Sequence, residues 1–249
     1  MTRTRELLEA HLPRDPWWQT ALDHLLPPRC VGCGRRGAEI CQPCTTTLRT
    51  LGTGTCPRCS MPSPGGRICR RCVGRQSPLR AVLARYPFEG TIRSAILAFK
   101  YRGRTRLAPF LASALSGALV VRPITIDLVV PVPLSRDRLR ARGFNQAELL
   151  ARPLAREHGW SLGATMLSRV RETQQQTELP ARERLRNVAG AFEVTDPSGV
   201  AGKRVLLVDD VCTTGATLAA SALPLLEAGA EGVWGIVVAR DMGGRQPRG

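Results

Sequence analysis

The sequence predicts an α/β protein: a doubly wound parallel sheet behind a small cysteine-rich, zinc-binding module at the N-terminus. Three observations predict it. The run Val205, Leu206, Leu207, Val208 is continuously apolar, as in a parallel-sheet strand covered on both faces. Helical and strand patterns alternate through the C-terminal two thirds of the chain, which is the order of βαβ units. Eight of the nine cysteines form four C-x-x-C pairs, at 30, 33, 41, 44, 56, 59, 69 and 72, a metal-ligand spacing.

With 249 residues, 43% of them hydrophobic, the chain is long enough for one packed core plus an accessory module. Residues 1–29 begin with charged groups and then carry Trp17, Trp18, Ala21, Leu22, Leu25 and Leu26 after Asp15-Pro16. This is an amphipathic helical stripe with a proline-marked start. It is too short to span a bilayer, and docking within the molecule is expected rather than peripheral membrane association.

Residues 30–72 form the metal module. Cysteines two residues apart make a knuckle offering two soft ligands, and four knuckles supply two tetrahedral Cys₄ zinc sites. Sequential pairing (Cys30, Cys33, Cys41, Cys44, then Cys56, Cys59, Cys69, Cys72) needs only short loops; a crossed pairing satisfies the same count. Disulfides are the alternative. The N-terminus lacks the uninterrupted apolar core and small-residue cleavage site of a secretory signal, so a cytoplasmic setting and zinc are expected. Four thiolates leave no open coordination position, so the zinc should be structural and supply folding free energy that so polar a segment lacks.

Residues 73–80 read as a linker to a domain spanning 81–241. There Thr91–Lys100 places Ile92, Ala95, Ile96 and Phe99 at helical spacing, and Leu107–Leu119 continues as a second helix. Asp127–Val132 is a short strand stopped by Pro131 and Pro133. Phe144–His158 reads as a helix, and Ala164–Val170 and Ala191–Val194 as weaker strands. Val205–Val208 is a central strand, Leu218–Ala228 a helix and Val233–Ala239 a last buried strand. Residues 242–249 read as a flexible tail.

Net charge is +16, and its distribution is uneven. Between Cys30 and Arg106, fifteen Lys and Arg stand against two acids, Glu39 and Glu89. Such a concentration is the footprint of a nucleic-acid partner; the alternative is solvated surface, since 34 of the 36 basic residues are arginine. Aromatic residues are only 4%, which argues against an extended base-stacking platform.

The chemistry concentrates in Val205–Leu218. Asp209 and Asp210 follow the apolar run, where open α/β sheets place ligands. Thr213, Thr214, Gly215, Ala216 and Thr217 then supply hydroxyls and a close-approach glycine at a helix start, which is an anion site. Carboxylates beside an anion site fit a ligand with both hydroxyls and phosphate, such as ribose 5-phosphate. Cys212 reads as a small buried apolar residue. Two further segments are polar at strand ends. One follows Val132 and places Arg136, Arg138, Arg140, Arg142 and Gly143 ahead of a helix, which suits a pyrophosphate. The other, Arg169–Asn187, is expected to close over a bound substrate; for both, the alternative is solvated surface.

The contiguous order VLLVDDVCTTGATL resembles the phosphoribosyl-pyrophosphate (PRPP) motif of type I phosphoribosyltransferases. Together with PPRC and three further C-x-x-C pairs, AFKYRGR (98–104), VVPVPLSRDRLRARGFNQAELLA (129–151) and TQQQTELPARERLRNVAGAF (173–192), the chain resembles the ComF family, with its ComFC and GntX branches, from about Leu25 to Ala239. The resemblance implies a type I phosphoribosyltransferase fold behind a double zinc ribbon, with PRPP carrying Mg²⁺ as ligand. It implies that Asp209 and Asp210 are catalytic and orient the ribose, that Thr213–Thr217 hold the 5-phosphate, and that Val132, Arg142, Gly143 and Lys100 hold the pyrophosphate. Arg171, Thr173, Gln175, Arg182 and Asn187 fall in the flexible loop. The implied role is in natural competence or use of imported DNA, with single-stranded DNA and DNA-uptake proteins as partners. Phosphoribosyl transfer with pyrophosphate release is the implied reaction; a non-catalytic PRPP sensor that binds single-stranded DNA is the alternative. His11, His24 and His158 lie outside these motifs, so no general base is assigned.

Overall fold

The computed structural model describes residues 27–171 and 190–243. The predicted N-terminal helix, the loop residues Thr173, Gln175, Arg182 and Asn187, and the chain beyond Gly243 lie outside the described residues. Two compact units divide between Thr46 and Thr47. The first holds Cys30, Cys33, Cys41 and Cys44, a bridge between Arg29 and Arg36 and the short helix α1 (Gln42–Thr46). The second holds the remaining knuckles together with the sheet.

The elements of the second unit are β1 (Val82–Pro87), α2 (Gly90–Tyr101), α3 (Ala108–Val121), β2 (Leu128–Pro131), α4 (Arg136–Arg142), α5 (Gln146–His158), β3 (Ser161–Leu162), β4 (Leu167–Arg169), β5 (Phe192–Val194), β6 (Arg204–Cys212), α6 (Ala216–Glu227) and β7 (Gly232–Arg240). Five strands form one sheet in the order β1-β7-β6-β2-β3, with every pairing parallel. The fold class is therefore a doubly wound parallel α/β sheet.

Burial explains the apolar runs. Val205, Leu206, Leu207 and Val208 are all fully buried, as are Val233, Ile236, Val237 and Val238 on the neighbouring strand. Each such side chain contributes about 1.5–3 kcal/mol. Val205 and Leu207 share a core with Leu218, Ala222 and Leu225 of α6, so strand alternation turns Leu206 and Val208 to the other face. The stripe predicted on α2 buries as expected: Ile92, Ala95, Ile96 and Phe99 are at most 2% exposed.

Several elements differ from their sequence reading. The strands near 167 and 192 do not join the main sheet; they pair antiparallel with each other, Leu167 opposite Val194. Each is three residues long and half covered, so neither sustains the two-sided burial a parallel strand requires. Residues Arg136–Arg142 form a helix rather than a loop. The Leu139 N–H donates to the Ser135 carbonyl (2.9 Å), and Gly143, at φ +80°, ends the helix by donating to the Leu139 carbonyl (2.8 Å). The motif strand continues through both aspartates to Cys212, and β1 and β3 were not anticipated at all.

The topology opens one crevice at the carboxyl ends of the strands. From β6 the chain passes through α6 to β7 on one side, while from β2 it passes through α4 and α5 to β3 on the other. Adjacent strands whose connections leave in opposite directions open a crevice at their carboxyl ends. That crevice lies between Asp209–Cys212 and Val132.

Candidate functional site

The sequential pairing of the knuckles, left open above, is resolved by distance. The sulfurs of Cys30, Cys33, Cys41 and Cys44 all lie within 4.8 Å of one another, and so do those of Cys56, Cys59, Cys69 and Cys72. Cys33 and Cys41 sulfurs are 3.5 Å apart, and Cys59 and Cys69 3.7 Å. Thiolates about 2.3 Å from a tetrahedral zinc stand about 3.8 Å from each other, so both sets fit the metal, and these are two structural Cys₄ zinc sites. Backbone amides prepare the sulfurs for it. The Cys41 N–H donates to Cys30 Sγ (3.3 Å) and the Cys69 N–H to Cys56 Sγ (3.3 Å). Burial opposes ionisation of Cys30, yet the amides of Cys41, Cys33 and Gly32 bring its thiol down to about 6.

The second zinc site is built into the sheet edge. The Val82 N–H of β1 donates to the Arg58 carbonyl (3.0 Å), and the buried Ser60 hydroxyl donates to the Val82 carbonyl (2.8 Å). Arg122, capping α3, donates to the Pro57 carbonyl (2.8 Å). With the Leu51 N–H, which donates to the Arg85 carbonyl (2.7 Å), these contacts cover the outer side of the edge strand β1.

At the carboxyl end of β6 the two adjacent carboxylates face opposite sides of the strand, and their environments differ. Asp210 is 1% exposed and forms an ion pair with Lys100 at the end of α2, at 2.6 Å. Its other oxygen is buried without a hydrogen-bond partner among the described residues. Burial alone would lower the Lys100 pKa, but the carboxylates of Asp210 and Asp209 raise it above the usual lysine value. Asp209 is half-buried and accepts from the Asp210 N–H (2.8 Å). Burial, then the charge of Asp210, push its carboxyl up to about 7 against the pull of Lys100 and Arg142.

The neighbouring loops complete the crevice. The Val132 N–H donates to the Val208 carbonyl (2.9 Å), and its own carbonyl accepts from the Asn145 side chain (3.2 Å). The Asn145 carboxamide oxygen also caps α5 through the Ala147 N–H (3.1 Å). Arg142 donates to Gln146 and lies over the Tyr101 ring, 5.3 Å from its centroid. Of the four arginines around α4, Arg140 instead pairs with Asp137 (3.0 Å). On the other side, Asp209, Val211, Cys212, Thr213, Gly215, Ala216, Thr217 and Leu218 line one pocket. Gly215 takes φ +84° immediately before α6, a conformation glycine adopts without strain.

The structure thus brings together Asp209, Asp210, Lys100, Arg142, Val132 and the Thr213–Thr217 loop, which are scattered over more than a hundred residues of sequence. Arg171 is described, at the exposed edge beyond β4. The sequence reading missed Tyr101, Asn145 and Arg240. Arg240 carried a signal: it is an arginine ending an otherwise apolar strand, and a buried strand end tolerates a cation only where partners wait for it.

A parallel sheet with an acidic pair and an anion loop at one switch point, behind two Cys₄ sites, defines a phosphoribosyltransferase-type domain with a double zinc ribbon. In agreement, residues 21–73 match the double zinc ribbon domain and residues 139–248 the phosphoribosyl transferase domain. The DNA utilization protein YhgH of Escherichia coli K12 is 34% identical over 204 residues, covering 78% of this chain and 87% of that protein. Competence protein ComFC of Bacillus subtilis is 31% identical over 198 residues, covering 77% of this chain and 79% of that protein. The chain belongs to the ComF family. Among solved structures, glutamine PRPP amidotransferase from B. subtilis is similar over 51% of this chain and 25% of its own, with a TM-score of 0.35 and 24% identity.

Proposed function

We propose that the chain binds PRPP with its Mg²⁺ in the β6–β2 crevice and transfers the phosphoribosyl group to a nucleobase-like acceptor with release of pyrophosphate. The observation that carries this reading is the juxtaposition of Asp209 and Asp210 with Lys100 on one side and the Thr213–Thr217 loop on the other. Asp209 accepts from a ribose hydroxyl, Asp210 keeps Lys100 in place, and the loop N–H groups and hydroxyls hold the 5-phosphate. Arg142, with Val132 and Gly143 beside it, faces the pyrophosphate, and Lys100 reaches the same group from α2. Mg²⁺ bound with PRPP would supply positive charge to the departing pyrophosphate, while Arg142 and Lys100 hold that group. The carboxylates favour the cationic character that develops at ribose C1 as the bond to pyrophosphate breaks.

The relatives are named for DNA utilization and competence. We read this chain as serving the same use of imported DNA, with DNA-uptake proteins and single-stranded DNA as partners. PRPP and zinc thiolates both suit the reducing cytoplasm. Among the described residues no helix is long and apolar enough to cross a membrane. Residues 30–72 then act as a zinc module, joined through 73–80 to a phosphoribosyltransferase domain over 81–241.

A second reading, a PRPP sensor that binds single-stranded DNA without turnover, is favoured by one observation: the fifteen basic residues against two acids between Cys30 and Arg106. Pyrophosphate release from PRPP, measured with and without single-stranded DNA and with added nucleobases, separates the two. The transferase reading predicts release that depends on an acceptor and disappears in Asp209→Asn/Asp210→Asn. PRPP binding without release under any of these conditions would favour the sensor.

A further inference from the structure

Arg240, the last residue of β7, belongs to none of the motifs, yet it is 6% exposed. Its Nη1 donates to the Cys212 carbonyl (2.9 Å), to Cys212 Sγ (2.7 Å) and to the Thr213 carbonyl. The next backbone amide, of Asp241, donates to the same Cys212 carbonyl (3.0 Å). The end of β7 therefore grips the two peptide units that lead from β6 into the Thr213–Thr217 loop.

The direction of those peptides matters. In a trans peptide plane the C=O and N–H point opposite ways. With the Cys212 and Thr213 carbonyls held against the guanidinium, the N–H groups of Thr213 and Thr214 are turned to the other side of the loop. Among the described residues, the N–H groups of Thr213, Thr214 and Gly215 donate to no acceptor. Consecutive unpaired N–H groups at a helix start form an anion-binding concavity.

The charge points the same way. Among the described residues no carboxylate pairs with Arg240, and its Nε is buried without a partner. Burying a cation against carbonyls alone is costly, and a dianion in the loop it grips would offset that cost. The cation sits behind the loop, so it acts through the loop rather than by touching the ligand.

We propose that Arg240 is the positioning residue of the phosphate loop: it pre-forms the N–H cradle and supplies the buried positive charge that recognises a sugar phosphate monoester. This rests on the phosphoribosyl reading above and assigns the 5-phosphate affinity to a residue outside the PRPP motif.

The test is calorimetric titration of the full chain with ribose 5-phosphate and, separately, with inorganic pyrophosphate. Arg240→Met, with folding checked by circular dichroism, should weaken ribose 5-phosphate by about tenfold or more, the scale of a lost charge-assisted hydrogen bond. Pyrophosphate, held at the α4 side, should stay within about twofold, since Arg240 makes no contact there. Arg240→Lys keeps the charge but not the fork, and should fall between the two. A folded Arg240→Met that binds ribose 5-phosphate as tightly as the natural chain overturns the proposal, and so does an equal loss for both ligands. Should Arg240→Met not fold, unchanged affinity in Arg240→Lys overturns it alone. A natural chain that binds neither PRPP nor ribose 5-phosphate would instead overturn the phosphoribosyl reading itself.

Discussion

Between Cys30 and Cys72 the buried residues are Cys30, Cys41, Cys56 and Leu51 with the small polar groups Thr55, Ser60 and Ser63. Between Val82 and Ala239 they are overwhelmingly valine, leucine, isoleucine and alanine. The sheet is held by removal of apolar surface from water, whereas the cysteine segments have too little such surface and are held by metal. A second difference lies between the two clusters themselves. Cys30–Cys44 belong to the smaller unit, while Cys56–Cys72 share a unit with the sheet and are hydrogen-bonded to β1. The second cluster thus shares one compact unit with the sheet and the candidate site at the end of β6.

The largest expected effect follows from removing that metal. Stripping zinc with a chelator under reducing conditions should cost on the order of 5 kcal/mol or more. Hydrogen exchange should rise across both clusters and along β1. Cys59→Ser should reduce the zinc content from two ions to one and lower the melting temperature of the main unit by about 5 °C or more. Full zinc-free folding, or a Cys59→Ser variant that melts like the natural chain, would erase the distinction between metal-held and core-held regions.

Within the core-held region the adjacent aspartates should behave oppositely. Asp210→Asn leaves Lys100 without its buried partner and should destabilise by about 3 kcal/mol, measured by urea denaturation. Asp209→Asn leaves that ion pair intact and should cost little. Equal losses in the two variants would contradict the asymmetry of the site.

A smaller effect separates them by pH. Burial and Asp210 raise the Asp209 carboxyl from 3.8 to about 7, so in that window the folded chain holds a proton that the unfolded chain has released. Stability should therefore fall as pH rises from about 4 to 7, by on the order of 1 kcal/mol after solvent screening. Calorimetric melting of Asp209→Asn across the same range should show a flatter profile than the natural chain.

What the sequence made legible follows the range of the interactions. The continuous run Val205–Val208, the stripe on α2 and the knuckle spacing are local patterns with one physical reading each, and all three are present in the fold. β1 was missed because Val82–Pro87 mixes Arg85, Tyr86 and Pro87 among its apolar residues, the composition of an edge strand whose outer side is covered by the second cluster. β4 and β5 were found, but their partners were not, since pairing is a long-range choice. The site divides in the same way. Asp209, Asp210 and Thr213–Thr217 stand contiguously and were legible. The pairing of Lys100 with Asp210 and the grip of Arg240 on Cys212 and Thr213 are contacts between elements, which no local pattern encodes.

The central claim is that the carboxyl end of β6 holds PRPP. Titration calorimetry of Mg²⁺–PRPP into the natural chain and into Asp209→Asn, which keeps the Lys100–Asp210 pair, tests it most directly. Binding of one PRPP per chain is expected, weakened about tenfold or more in the variant through loss of a charge-assisted hydrogen bond to the ribose. PRPP binding of equal strength in the two proteins would contradict it.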